Sequence, residues 1–148
     1  MKKFLVLFTT FATVVLTGCS SFHKEWKAAM NRPVPTNSIE GPWAGDWRSD
    51  KNGHHGSLRC VVTKTSETAY RAHFRAHFWK IFRYTYAATL NGTETNGVVA
   101  LRGEANLGKL AGGVYKYEGK ATPTDFQSNY ESKYDHGHYQ MARPAASR

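Results

Sequence analysis

Between Tyr70 and Phe78 every second residue is apolar: Tyr70, Ala72, Phe74, Ala76 and Phe78 alternate with Arg71, His73, Arg75 and His77. A period of two separates the faces of a strand, and no helix can make that separation. The alternation recurs along the chain. Leu58, Cys60 and Val62 stand against Arg59, Val61 and Thr63; Phe82, Tyr84 and Tyr86 share a face, as do Tyr115 and Tyr117; Phe126, Ser128, Tyr130 and Ser132 oppose Gln127, Asn129, Glu131 and Lys133; Tyr139 and Met141 repeat the theme. Between these runs sit Asn52-Gly53, Asn91-Gly92, Asn96-Gly97, Gly112-Gly113 and Asp135-His136-Gly137, residues that tolerate positive φ and close tight hairpins. The pattern predicts eight strands near 43–49, 57–65, 69–78, 80–90, 97–103, 113–119, 124–134 and 137–143. Short connections make neighbours antiparallel. Such a set hides its edges most simply by closing into an all-β, eight-stranded antiparallel up-and-down barrel, with a β-sandwich as the alternative. Inward positions that mix large with small, such as Phe74 beside Ala72 and Ala76, suit a narrow barrel interior.

Ahead of the strands the pattern differs. Lys2 and Lys3 precede an uncharged apolar run from Phe4 to Leu16, too short to cross a bilayer comfortably as a helix, and this reads as the core of an export signal. Further on, Phe22, Trp26, Ala29 and Met30 recur at i, i+4, i+7 and i+8, on one side of a short helix that Arg32-Pro33-Val34-Pro35 ends. That helix either lies on lipid, with Trp26 at the headgroup level, or caps one end of the barrel.

Leu16-Thr17-Gly18-Cys19 resembles the bacterial lipobox. The resemblance implies cleavage before Cys19, acylation of that cysteine, and attachment to the membrane by more than one chain. Ser20 and Ser21 follow with no acidic residue beside the cysteine. By resemblance to enteric sorting this implies the cell envelope, at the periplasmic face of the outer membrane or the cell surface where the organism has one. The chain then divides into a signal peptide (1–18), a lipidated cysteine and linker with the short helix (19–40), the barrel domain (41–144) and a tail (145–148).

Gly41-Pro42-Trp43 and Gly45-Asp46-Trp47 open the first strand, and Arg143 closes the last. This is similar to the calycin superfamily, lipocalins and avidins included, in which a Gly-x-Trp indole packs against a basic residue from the final strand and plugs one barrel end. The resemblance implies that Trp43 or Trp47 meets Arg143. Thr124-Asp125-Phe126 is a fainter likeness to the lipocalin Thr-Asp-Tyr signature. With Asn52-Gly53-His54, Gly112-Gly113-Val114-Tyr115 and Tyr134-Asp135-His136-Gly137, the stretch from Trp43 to Arg143 looks like small bacterial lipoproteins, which implies a location and a fold but no reaction.

Composition narrows the chemistry. The 148 residues leave room for one core, and 14% aromatic content supports a packed one. Lys+Arg 20 against Asp+Glu 11 gives a net charge of +9, and the chain stays basic without Lys2 and Lys3. With Cys19 taken by the anchor, Cys60 is the other cysteine, so an internal disulfide and a cysteine-based zinc site are excluded; its place between Leu58 and Val62 marks a buried small hydrophobe. His73 and His77 lie about 13 Å apart on a strand, too far to share an ion. His136 and His138 can face the same way and meet His54 or His55 at one barrel end, yet spacing fixes no third ligand, so neither a metal nor another cofactor is expected. No Gly-x-Ser-x-Gly or His-Glu-x-x-His occurs, and Gly103 to Lys109 matches most of a P-loop but places Leu110 where Ser or Thr must bind Mg²⁺. An enzyme is not expected.

Two surfaces remain as candidates. A hollow barrel is walled by Tyr70, Phe74, Phe78, Tyr84, Tyr115, Tyr117 and Tyr130, apolar rings with phenol groups to orient a ligand, unless these side chains fill it completely. Outside, Arg59, Arg71, Arg75 and Arg83 form a basic patch, joined by His73 and His77 below about pH 6.5, for anionic headgroups, lipopolysaccharide phosphates, cell-wall polymer or a partner protein. Nucleic acid is not expected for an exported, tethered chain, and a monomer is. The expectation is therefore a lipid-anchored envelope protein whose barrel binds an apolar or amphipathic small molecule; the alternative is a filled-core interaction protein acting through its basic surface.

Overall fold

The computed structural model describes residues 17–79 and 81–145, without the side chains of 17–20. The signal segment but for Thr17 and Gly18, the Cys19 side chain and the tail beyond Ala145 lie outside the described residues. The alternating runs form β1 (Gly41–Ser49), β2 (His55–Lys64), β3 (Ala69–Phe78), β4 (Phe82–Thr95), β5 (Val98–Asn106), β6 (Val114–Ala121), β7 (Asp125–Glu131) and β8 (His136–Ala142). Each strand pairs antiparallel with the next, and β8 returns to β1 with Tyr139 opposite Trp47, so the sheet closes and leaves no free edge. The fold is the closed eight-stranded up-and-down barrel expected from the alternation.

Inward positions make one continuous core. Leu58, Cys60 and Val62 of β2, Ala72 and Phe74 of β3, Leu90 of β4 and Phe126 of β7 are all buried there. Burial pushes the Cys60 thiol well above its ordinary pKa, which leaves it protonated and unreactive.

Two expected turns fall inside strands instead. Asn91 pairs with Ala69 on one side and Arg102 on the other, and β4 continues to the hairpin at Asn96 and Gly97, where both residues take positive φ (52° and 78°). The glycine at 92 serves packing rather than turning: a Cβ there would come within 2.6 Å of the Tyr70 ring. His136 and Gly137 likewise open β8 rather than a loop.

The helix α1 (Thr17–Met30) caps neither end of the barrel; it packs on the flank. Phe22 is buried with its ring edge against His73, at a centroid distance of 5.1 Å, and the Arg75 guanidinium lies 5.1 Å from the Phe22 centroid. Glu25 accepts from Arg71 Nη1 at 2.9 Å and shares a hydrogen bond with His73 Nδ1, while Arg59 lies 5.2 Å over the Trp26 ring. The predicted face of Phe22, Trp26, Ala29 and Met30 is the one turned inward, with Phe22 and Ala29 buried. The flank wins because β2 and β3 present Val61 and His73 outward, and only a covering element removes these from water.

One end of the barrel is sealed. Arg143 lies over the Trp43 ring at 3.9 Å and reaches four carbonyls, donating to Pro123 from Nε, to Glu40 and Pro42 from Nη1, and to Ser38 from Nη2. Trp43 Nε1 donates to the Ile39 carbonyl at 2.8 Å, and Phe126 closes edge-on against the indole. Gly41 makes this geometry available. Its φ of 103° suits glycine alone, and a Cβ would press on Arg143 Nη1 at 3.2 Å. Burial pulls the Arg143 pKa down to about 10, still well above neutrality, so the plug is charged.

Candidate functional site

Strand polarity gives the barrel a second, different end. The connections 50–54, 79–81, 107–113 and 132–135 all gather opposite the Trp43 plug. Here the inward side chains do not close the interior. A cavity of about 710 Å³ opens between the loops. Its wall takes Trp47 from β1, Leu58 from β2, Ala76 and Phe78 from β3, Tyr84 and Tyr86 from β4, Tyr115 and Tyr117 from β6, Tyr130 from β7 and Tyr139 from β8.

The sequence-predicted wall is split by this geometry. Phe78, Tyr84, Tyr115, Tyr117 and Tyr130 line the cavity, whereas Tyr70 and Phe74 do not. Tyr70 is buried near the closed end, beside Gly92. Phe74 is fully buried at mid-height and stacks under Tyr86 and Tyr117 at centroid distances of 5.1 and 6.2 Å, with Tyr139 edge-on at 5.7 Å. The interior is thus filled up to Phe74 and open above it. Trp47 also moves roles: it lies away from the plug, stacks obliquely on Phe78 at 4.8 Å, donates from Nε1 to the His77 carbonyl at 3.1 Å, and borders the cavity.

Tyr86, Tyr139, Trp79, Phe82, Leu107 and Leu110 join the wall without having been singled out for it. Tyr86 and Tyr139 were legible from their alternation with outward neighbours. Leu107 and Leu110 come from the β5–β6 connection, which carries no periodicity; a single 3₁₀ turn, Lys109–Ala111, orients them. Gly137 clears space for the wall, since a Cβ there would meet the Arg48 carbonyl oxygen and the Tyr130 hydroxyl.

Polar groups are few and mostly engaged. Tyr84 donates its hydroxyl to the Leu107 carbonyl at 2.6 Å, tying β4 to the loop over the mouth. Ser49 and Tyr130 both donate to Asp135, at 2.6 and 3.3 Å. The Tyr139 hydroxyl is sealed from solvent and has no partner at close hydrogen-bond geometry, although Ser128 faces it across β7 and β8. Burial raises the pKa of Tyr86, Tyr117, Tyr130 and Tyr139, so the phenols stay neutral donors and acceptors through the physiological range. No three His, Cys, Asp or Glu side chains gather as a metal set among the described residues. His138, one of the histidines considered for such a set, pairs with Asp50 at 3.1 Å.

The basic patch is shared with α1 rather than buried by it: Arg59 stays exposed and the Arg71 side chain is 42% exposed. Arg59, Arg71 and Arg75 are the seat of α1, held against Trp26, Glu25 and Phe22 respectively. Arg83 stands apart from them, exposed at the cavity mouth. His77 hydrogen-bonds with Ser57 at 3.0 Å, and its pKa is lowered by burial and then by Arg83, Arg59 and Arg75.

No family model and no curated protein sequence matches the chain. Solved structures do. A de novo designed fluorescence-activating β-barrel superposes with a TM-score of 0.52 at 11% identity, covering 76% of this chain and 100% of its own. A redesigned β-barrel bound to DFHBI gives 0.54 at 13% identity, covering 72% and 94%. The likeness is one of fold.

Proposed function

We propose that this chain is a binding module that admits an apolar or amphipathic small molecule through the mouth of its barrel, and that acyl chains on Cys19 hold it at a membrane of the cell envelope. The observation that carries the reading is the half-filled interior: packed to Phe74, then a ring-lined space of about 710 Å³. That volume falls within the range of roughly 300–1,000 Å³ usual for small-molecule sites. Parallel faces of Phe74, Tyr86 and Tyr117, tilted by 15° to 21° from one another, suit a ligand with a flat or ring-bearing part.

A similar barrel in a structure bound to DFHBI supports the capacity of this architecture to house a small molecule. The calycin-like pairing of Trp43 with Arg143 agrees with it. Membrane attachment rests on the apolar run from Phe4 to Leu16 and on Leu16-Thr17-Gly18-Cys19. The rival reading, a basic exterior acting on a polymer or partner protein, has less support because α1 already engages Arg59, Arg71 and Arg75, although Arg59 and Arg83 stay exposed.

Native mass spectrometry of the purified protein is expected to show a co-purified small molecule, and a neutral planar fluorogenic dye is expected to bind saturably at one-to-one stoichiometry. Ala76 lines the cavity, so Ala76→Phe puts a ring into the space and is expected to weaken the dye at least tenfold while the circular dichroism of the barrel is kept. Equal dye binding by both proteins, or none by the wild type, would refute the pocket. Metabolic labelling with a fatty acid, lost in Cys19→Ser, tests the anchor separately.

A further inference from the structure

The two ends of the barrel differ in more than closure. Of the large apolar side chains that are exposed among the described residues, all but Val34 and Val98 belong to the mouth. Trp79, Ile81 and Phe82 crown the β3–β4 connection, Leu110 projects fully from the β5–β6 loop, and Tyr134 tops the β7–β8 turn. Ile81 is 75% exposed and Trp79 69%. Trp79 also takes a φ of 46°, a left-handed conformation that bulky side chains rarely adopt, just past the end of β3.

Cations surround this rim. Lys51, Lys109 and Lys133 lie on the mouth loops, and Arg83 stands next to Phe82. Lys51 Nζ donates to the Tyr134 carbonyl at 2.8 Å, and Lys133 sits over the Tyr134 ring at 5.4 Å, so charge and aromatic surface are interleaved. The acids on these loops are occupied: Asp50 pairs with His138, and Asp135 accepts from Ser49 and Tyr130. Glu131, at the end of β7, is the nearest remaining carboxylate on the outer face.

We infer that the mouth of the barrel docks onto an anionic phospholipid surface, with Ile81, Phe82 and Leu110 entering the acyl boundary and Trp79 and Tyr134 at headgroup level. Charge selects this occupant. Aliphatic tips belong in hydrocarbon, Trp and Tyr at the interface, and lysines against lipid phosphates. A second copy meeting this one mouth to mouth would set two rings of cations against each other.

The inference needs neither a ligand nor acylation, and its test is separate from both. The full chain carrying Cys19→Ser is given one new cysteine at Ile81→Cys or Leu110→Cys, or at Asn96→Cys on the opposite end, and is labelled with an environment-sensitive nitrobenzoxadiazole dye. Cys60 is fully buried and escapes the label. With phosphatidylcholine vesicles containing phosphatidylglycerol, labels at 81 and 110 are expected to shift to the blue and brighten several-fold, with the label at 96 unchanged. Lys109→Ala should require about fivefold more anionic lipid for half the response. Water-like emission at 81 and 110 in vesicle-bound protein overturns the inference, as does an equal shift at 96. A shift that grows with protein concentration and needs no vesicles also overturns it, because a second copy would then cover the rim.

Discussion

Tyr139→Phe tests whether the hydroxyl sealed beneath the cavity is left without a partner. The Tyr139 ring is 3% exposed and packs against Phe74, Phe126 and Tyr117, contacts that phenylalanine keeps in full. What the substitution removes is a hydroxyl buried without a hydrogen bond. Such a group costs about 1–3 kcal/mol relative to solvation in the unfolded chain. The ligand-free variant is therefore expected to be more stable by about 1 kcal/mol, read as a higher urea midpoint with an unchanged slope. Ligand binding should stay within about twofold of wild type, because a hydroxyl sealed from solvent is also out of a ligand's reach. A gain in stability with unchanged binding is the diagnostic, since a general packing defect lowers both. If Tyr139→Phe instead destabilises the free protein by about 1 kcal/mol or more, the hydroxyl has a partner and the reasoning is refuted. Ser128→Ala then identifies whether that partner is Ser128, which faces Tyr139 across β7 and β8.

Arg143→Leu should destabilise the barrel by on the order of 3 kcal/mol in chemical denaturation, because it orphans the carbonyls of Ser38, Glu40, Pro42 and Pro123, and Arg143→Lys should recover little since one ammonium cannot span four carbonyls. Phe22→Ala should undock α1 at a cost of about 3 kcal/mol, with hydrogen exchange rising in residues 21–30 while β4 to β7 stay protected; a global loss of protection would show that the helix is part of the barrel's folding unit. Alkaline titration should leave Tyr86, Tyr117, Tyr130 and Tyr139 protonated past their ordinary value of 10. Their folded pKa is raised, so the unfolded chain loses protons first; stability is complete below pH 10 and declines above it, and the phenolate absorbance of these four should appear together with unfolding rather than before it. Below neutrality the depressed pKa of His77 acts the other way, since the unfolded chain takes up its proton first: the contribution is present above pH 6.5 and lost as pH falls, and His77→Gln should flatten that limb of the stability curve.

Strand number, antiparallel order and the inward face were all legible in the chain, because a period of two needs only local geometry to be read. Tyr115, Tyr117 and Tyr130 could be assigned inward from their neighbours alone. Height along the barrel axis could not. Tyr70 and Tyr84 have the same inward aspect in sequence, yet register puts Tyr70 opposite Leu90 near the closed end and Tyr84 opposite Ala76 at the cavity. Trp43 and Trp47 pose the same problem, four residues apart on one face and separated by most of the strand's length.

The alternation of side chains, the glycine-bearing turns and the lipobox-like tetrapeptide belong to the sequence, since each is a pattern between near neighbours. Closure of β8 on β1, the depth at which packing stops, and the docking of α1 against Arg59, Arg71 and Arg75 belong to the tertiary structure. They depend on which residues meet across many tens of positions, and a period of two repeats identically at every level of a strand. It can say which side faces the core, but never how far along the barrel that core is full.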